Sequence, residues 1–175
     1  AIIMAQAGLY VPCETFVYSP YNYIFTRILG NDNIFKGLST FAVEMSELRT
    51  ILRMCDKNSL VLGDELCNGT EIGSAYSIMS QSLIWFNKKQ SSHIFATHYH
   101  DITKIKDVMN LKELFICHMA IENINGVIVY DRKIKEGPGN NSYGLEVLKS
   151  FDFPDEFIKG AFKIRDKIEG KKKLS

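Results

Sequence analysis

Apolar positions along the chain alternate between a spacing of three to four residues and short unbroken runs, a pattern that predicts helices interleaved with strands. Residues 1–6 read as the end of a helix, and Gly8 and Pro12 lead through an extended segment to a short strand at 23–27. Phe41, Met45, Leu48, Leu52 and Cys55 recur at helical spacing, so a helix over 40–55 is expected to turn that face inward. Leu60, Val61 and Leu62 make an apolar run ending at Asp64, which predicts a buried strand over 60–64. A second amphipathic helix, 71–87, carries Ile72, Ala75, Tyr76, Met79, Leu83 and Phe86 on one face. A strand follows at 93–97, then a short helix after Asp101. Two further strand-like runs, 114–122 and 126–134, flank Asn125-Gly126, a pair that favours a tight turn, so they are expected to pair antiparallel. Residues 136–140 form a Gly- and Pro-rich loop, and Ser142 can cap the helix that follows. A last helix is expected over 154–168, with Pro154 near its first turn.

Composition narrows the class without fixing the function. The chain has 175 residues, 46% hydrophobic and 23% charged, which is ordinary for a globular α/β unit and argues against disorder. A net charge of +1 leaves no chain-wide electrostatic footprint for nucleic acid, and Lys171-Lys172-Lys173 reads as a solvated tail or a linker. No apolar stretch approaches the length of a membrane span, and no basic region precedes an apolar segment at the amino end. Cys13, Cys55, Cys67 and Cys117 lack close C-x-x-C spacing and read as reduced thiols of an intracellular protein.

The candidate chemistry lies where predicted strands and helices end. Asp64 and Glu65 follow the apolar run and precede a small-residue loop. At the carboxyl end of a buried strand, Asp64 could reach a hydrated Mg²⁺ and Glu65 could orient and deprotonate a water; the plainer reading is a solvated strand end. Ser39 and Thr40 open the helix over 40–55 after a glycine-flanked loop. They are either ordinary caps or, with the free N–H groups there, an anion site. His98 directly follows a strand and could contact a phosphate and the attacking water, or be a surface residue. His98, His100 and His118 offer a zinc reading, weakened by the absence of certain partners.

Taken in order, MAQAGLYVPCE, LSTFAVEMSEL, SLVLGDELCNGT, FATHYHDIT and NNSYGLEVL span nearly the whole chain, and the chain resembles the carboxyl-terminal part of the ATPase domain of MutS-family DNA mismatch-repair proteins. STFAVEM and FATHYHDIT carry the specificity, since the Asp-Glu strand would fit any P-loop ATPase. The sequence around residues 33–53 and 62–67 is most similar to the branch found in giant viruses and octocoral mitochondria. The resemblance implies a P-loop NTPase-like, ABC-type α/β fold: a three-layer sheet with flanking helices, truncated at its amino end, with a helical dimerisation segment over 151–175 after an ATPase part over 1–150. It implies ATP and Mg²⁺ as ligands. Asp64 would hold the metal through water, Glu65 would be the general base and His98 the γ-phosphate sensor. Ser39 and Thr40 would form the signature that reaches the partner subunit's nucleotide, and Asn68, Gly69 and Thr70 would lie on the loop crossing that interface. Arg132 stands near where the family stacks a side chain on adenine, and could equally be an exposed strand residue. The family's Gly-Arg-Gly-Thr is replaced here by Cys67-Asn68-Gly69-Thr70, which puts subunit communication in doubt and not the magnesium chemistry.

None of the twelve glycines begins a Gly-Lys-Ser/Thr sequence, so the phosphate-cradling loop is not in this sequence. The expectation is a chain that begins inside a domain and, alone, binds ATP weakly and hydrolyses it negligibly. The implied partners are a second MutS-type subunit, identical or not, and mismatched double-stranded DNA held by other domains, with no membrane. The setting is intracellular, whether nucleus, mitochondrion, viral factory or bacterial cytoplasm. Two alternatives stand beside this reading. A different ABC-type ATPase would carry an LSGGQ-like signature, against which Leu38-Ser39-Thr40-Phe41-Ala42 argues. A non-catalytic dimerisation module would keep the surface without the phosphate loop.

Overall fold

A computed structural model of the chain describes residues 1–27, 40–124, 127–139, 144–151 and 153–172. The chain is mixed α/β and divides into two compact units, Ala1–Leu114 and Phe115–Ser175.

The first unit is built on a three-stranded parallel sheet. After the short helix α1 (Ile2–Gln6), the strands β1 (Tyr23–Arg27), β2 (Ser59–Asp64) and β3 (Ser92–Ala96) lie side by side in that order. Helices α2 (Thr40–Met54) and α3 (Ile72–Lys89) connect them, as parallel neighbours require a crossover. The Gln6 side chain brackets the Tyr21 backbone, accepting from its N–H at 2.9 Å and donating to its carbonyl at 3.0 Å, which pins the irregular segment before β1. Val61, buried on β2, packs with Leu48, Ile51, Met79, Leu83 and Phe86 of the two helices. Residues 100–104 form a 3₁₀ turn and Lys106–Met109 a one-turn helix α4, whose Ile102 and Val108 close the same core.

The observed helix faces differ from the expected ones in two places. On α2 the buried stripe is Glu44, Leu48 and Ile51, continuing to Cys55, while Phe41, Met45 and Leu52 are only partly buried. The helix turns a carboxylate inward because that carboxylate has partners there, described below. On α3, Ile72 is 69% exposed, because the chain enters the helix from outside the core and only Ala75 onward reaches it.

The second unit is an antiparallel pair, β4 (Cys117–Ile124) and β5 (Val127–Glu136), with helices α5 (Gly144–Val147) and α6 (Asp155–Lys172). The Asn125-Gly126 turn and the Ser142 cap lie outside the described residues. Between Met119 and Ile121 the register slips at a bulge. Arg165 of α6 donates to Glu146 of α5 at 2.9 Å and lies over the Phe162 ring at 4.6 Å. No helix among the described residues is long and apolar enough to cross a membrane.

Candidate functional site

Parallel strands present their carboxyl ends at one edge, and ligands of open α/β sheets bind there. Asp64 and Ala96, the last residues of β2 and β3, face each other in register, and the Glu65 N–H donates to the Ala96 carbonyl at 3.0 Å. Immediately beyond, Glu65 has φ +47, a left-handed conformation that turns the chain sharply out of the strand. Its carboxylate then meets two side chains. Oε2 accepts from the Asn68 amide at 3.0 Å, and Oε1 stands 3.5 Å from His98 Nδ1. The latter distance suits an ion pair with a protonated imidazole and is long for a hydrogen bond. Both side chains remain open to solvent, at 37% for Glu65 and 52% for His98, so water reaches the pair.

A buried polar cluster lies behind this pair. Glu44 is 5% exposed and Arg27, at the end of β1, is 7% exposed. Arg27 Nε lies 3.8 Å from Glu44 and 3.3 Å from Glu47. Glu44 Oε1 also accepts from the Cys67 N–H at 2.9 Å, and the Tyr99 hydroxyl donates to the Cys67 carbonyl at 3.0 Å. Burial, then the nearby Glu44 charge, pushes the Cys67 thiol up to about 11, so it stays protonated and unreactive. Burial likewise raises the Tyr99 phenol, with the Cys67 and Glu44 groups adding to it, which keeps its O–H a donor. Glu44, Arg27 and Tyr99 were not singled out by sequence. A carboxylate inside the apolar stripe of α2 was the available signal, since a buried charge demands partners.

Asp64 is half-buried at the strand end, and its carboxylate makes no hydrogen bond or ion pair with the described residues. A free carboxylate oxygen at that edge fits a hard, hydrated cation that completes its shell with water and substrate phosphates, as Mg²⁺ does. Thr40 is the first residue of α2 and is exposed; Ser39 lies outside the described residues. A Cβ on Gly69 would come 3.6 Å from Phe41 Cβ, so the loop after β2 runs against the first turn of α2. The structure thus brings Asp64, Glu65, Asn68 and His98 to one edge of the sheet, with Thr40 on the neighbouring helix. Arg132 belongs to the second unit, exposed on β5 opposite the bulge with φ +55. His100 opens the 3₁₀ turn, and His118 Nδ1 lies 2.9 Å from the Gly137 carbonyl. Among the described residues no three His, Cys, Asp or Glu side chains converge to hold a metal by themselves.

Residues 1–169 match the family model described as MutS domain V. The chain is 43% identical over 173 residues to a DNA mismatch repair protein mutS homolog of Acanthamoeba polyphaga mimivirus, covering 96% of the chain and 15% of that protein. It is 39% identical over 168 residues to the mitochondrial DNA mismatch repair protein mutS homolog of Sarcophyton glaucum, covering 95% of the chain and 17% of the relative. Against the DNA mismatch repair protein MutS of Staphylococcus epidermidis the identity is 37% over 172 residues, 97% of the chain and 19% of the relative. The chain therefore spans less than a fifth of the length of each of these three relatives.

Proposed function

The chain belongs to the MutS family of DNA mismatch repair proteins, and we propose that it carries the water-activating and dimerising portion of that protein's ATPase. One observation carries this reading: Glu65 sits beside Asp64 at the end of a central parallel strand, held by Asn68 at 3.0 Å and facing His98 at 3.5 Å. That arrangement suits in-line attack of water on a terminal phosphate. Glu65 takes the proton of the attacking water, and Asn68 fixes the free oxygen of its carboxylate. His98 lies on the opposite side of that carboxylate and donates to the γ-phosphate as negative charge moves onto it. Asp64 would hold Mg²⁺ through water. When bound, the ion would neutralise charge on the β- and γ-phosphates.

The parallel order of β1, β2 and β3, with the acids at their carboxyl ends, supports assigning the first unit to a P-loop NTPase-like, ABC-type three-layer fold. Ser39 and Thr40 then act as the signature that completes a partner subunit's nucleotide site, and Arg132 stacks on adenine. α6, with Phe157 56% exposed, contributes to the dimer surface. ATP-driven closure of the dimer would clamp mismatched DNA held by other domains.

In the full-length polypeptide that contains this chain, Glu65→Gln is expected to leave ATP binding intact and lower steady-state turnover by about a hundredfold or more. Unchanged turnover in that variant removes Glu65 from the role of base. The 175-residue chain by itself is expected to hydrolyse ATP negligibly; turnover at the full-length level, lost on Glu65→Gln, would overturn that expectation.

A further inference from the structure

Two residues behind the site have geometry that a purely structural role does not require. The Cys67 peptide is held at both of its polar atoms by side chains from different elements. Its N–H donates to Glu44 of α2 at 2.9 Å, and its carbonyl accepts from the Tyr99 hydroxyl, beyond β3, at 3.0 Å and from the Thr70 N–H at the longer distance of 3.4 Å. Cys67 and Tyr99 are both buried, at 0% and 7% exposure, so water does not compete for these bonds.

The clamped segment is strained. Glu65 and Cys67 have φ +47 and +69, left-handed values that L side chains rarely adopt, and they stand only two positions apart. A strained segment keeps its shape only where its surroundings over-determine it. Here the surroundings are Glu44 and Tyr99 at Cys67, with the Ala96 carbonyl on the Glu65 N–H and Asn68 on its carboxylate. Glu65 lies two residues before the clamped peptide, and His98 immediately precedes the residue that clamps it. The Tyr99 N–H is itself fixed to Thr97 Oγ1 at 3.1 Å, and its ring packs on Tyr76 with centroids 5.2 Å apart. Releasing either end of the Cys67 peptide would let Glu65 relax away from His98.

We infer that Glu44 and Tyr99 are positioning residues for ATP hydrolysis, acting through the Cys67 peptide to hold Glu65 opposite His98. This rests on the proposed role of Glu65. Glu44 lies about one turn inside α2, the helix that Thr40 opens, and the buried Arg27 guanidinium beside it ties β1 to the same point. A shift of α2 therefore moves the acceptor of the Cys67 N–H, so the position of the helix start is transmitted to the base.

Tyr99→Phe removes only the hydroxyl and keeps the ring against Tyr76; Glu44→Gln exchanges the charged acceptor of the Cys67 N–H for a weaker neutral one, while Arg27 keeps Glu47 at 3.3 Å. In the full-length polypeptide both are expected to lower kcat about tenfold, since misplacing a reacting group costs rate before it costs binding, with KM for ATP little changed. Combined with Glu65→Gln, neither is expected to lower kcat further. In the isotope-labelled 175-residue chain, the Cys67 amide is expected to exchange with solvent about tenfold faster in Tyr99→Phe than in the parent. Unchanged Cys67 exchange overturns the clamp. Accelerated exchange with unchanged kcat in both variants, or losses that add to that of Glu65→Gln, overturns the positioning role. If Glu65→Gln alone keeps full turnover, the assignment of the base fails instead, and the exchange measurement still decides whether the clamp exists.

Discussion

Gly63 stands immediately before Asp64 in β2, opposite Phe95 of β3, and a Cβ built there would lie 2.1 Å from Phe95 Cε1. The Phe95 ring, itself partly buried, is stacked on buried Phe86 with centroids 5.6 Å apart, so moving it disturbs that contact. Gly63→Ala is therefore expected to force the strands or the ring to shift, destabilising the chain by about 1–3 kcal/mol. Urea unfolding checks this as a lower midpoint with unchanged slope, and an unmoved midpoint would mean the ring yields freely. The same close approach explains why the strand carries a glycine beside its acidic end: the aromatic ring covers β2 where Asp64 must stay open. Buried charge works differently. Arg27 and Glu44 lose hydration in the core, and Arg27→Met is expected to cost about 3 kcal/mol, read as a lower urea midpoint, because Glu44 remains buried and charged; loss of Glu44 costs less, since Arg27 keeps Glu47 at 3.3 Å.

Helix α3 begins where the candidate site loop ends, so its first turn fixes the far end of that loop. Glu71 caps it, accepting from the Ser74 N–H at 2.7 Å and the Gly73 N–H at 3.0 Å, and also from the Ser74 hydroxyl. The Ser74 hydroxyl first, then the two N–H groups, hold the Glu71 carboxyl below its usual value of 4.5. A carboxylate whose folded value is depressed stabilises the fold fully above the unfolded value and loses that contribution as pH falls through the folded one. Glu71→Gln should then flatten the dependence of melting temperature on pH below about 4.5, leaving the curve at neutral pH displaced without a change of slope. Parallel curves for parent and variant through the acid range would show that the cap contributes nothing ionic. The other end of α3 stops at Gln90, with φ +57, and Lys88 and Lys89 in the last turn complement the helix dipole.

For the molecule as a whole, thiol chemistry separates surface from core. Cys13 and Cys117 are exposed, while Cys55 and Cys67 lie in the core of the first unit. Burial raises the thiols of both core cysteines, that of Cys67 to about 11, so little thiolate is present at neutral pH. A thiol reagent at about pH 8 is expected to label two cysteines at once and the other two only at the rate at which the first unit opens. Four equally fast thiols would show that the core around β2 is not closed.

The order of helices and strands was legible in the sequence because apolar period is a local property: a run such as Leu60-Val61-Leu62 must be buried on both faces wherever the chain goes. The acid pair was legible for the same reason, since residues 64 and 65 follow the strand directly. Which face of α2 turns inward was not. Its apolar count favours Phe41 and Met45, and Glu44 is drawn into the core by Arg27 and the Cys67 N–H, which are 17 and 23 positions away. His98 was legible as a candidate but its distance to Glu65 was not, because that distance is set by the parallel register of β2 with β3 and by the left-handed turns at Glu65 and Cys67. Sequence alone thus determined the elements and the residue types at their ends. Tertiary structure alone decided which of those ends meet, because hydrogen-bond partners of buried charges and strained peptides come from elements far apart in the chain.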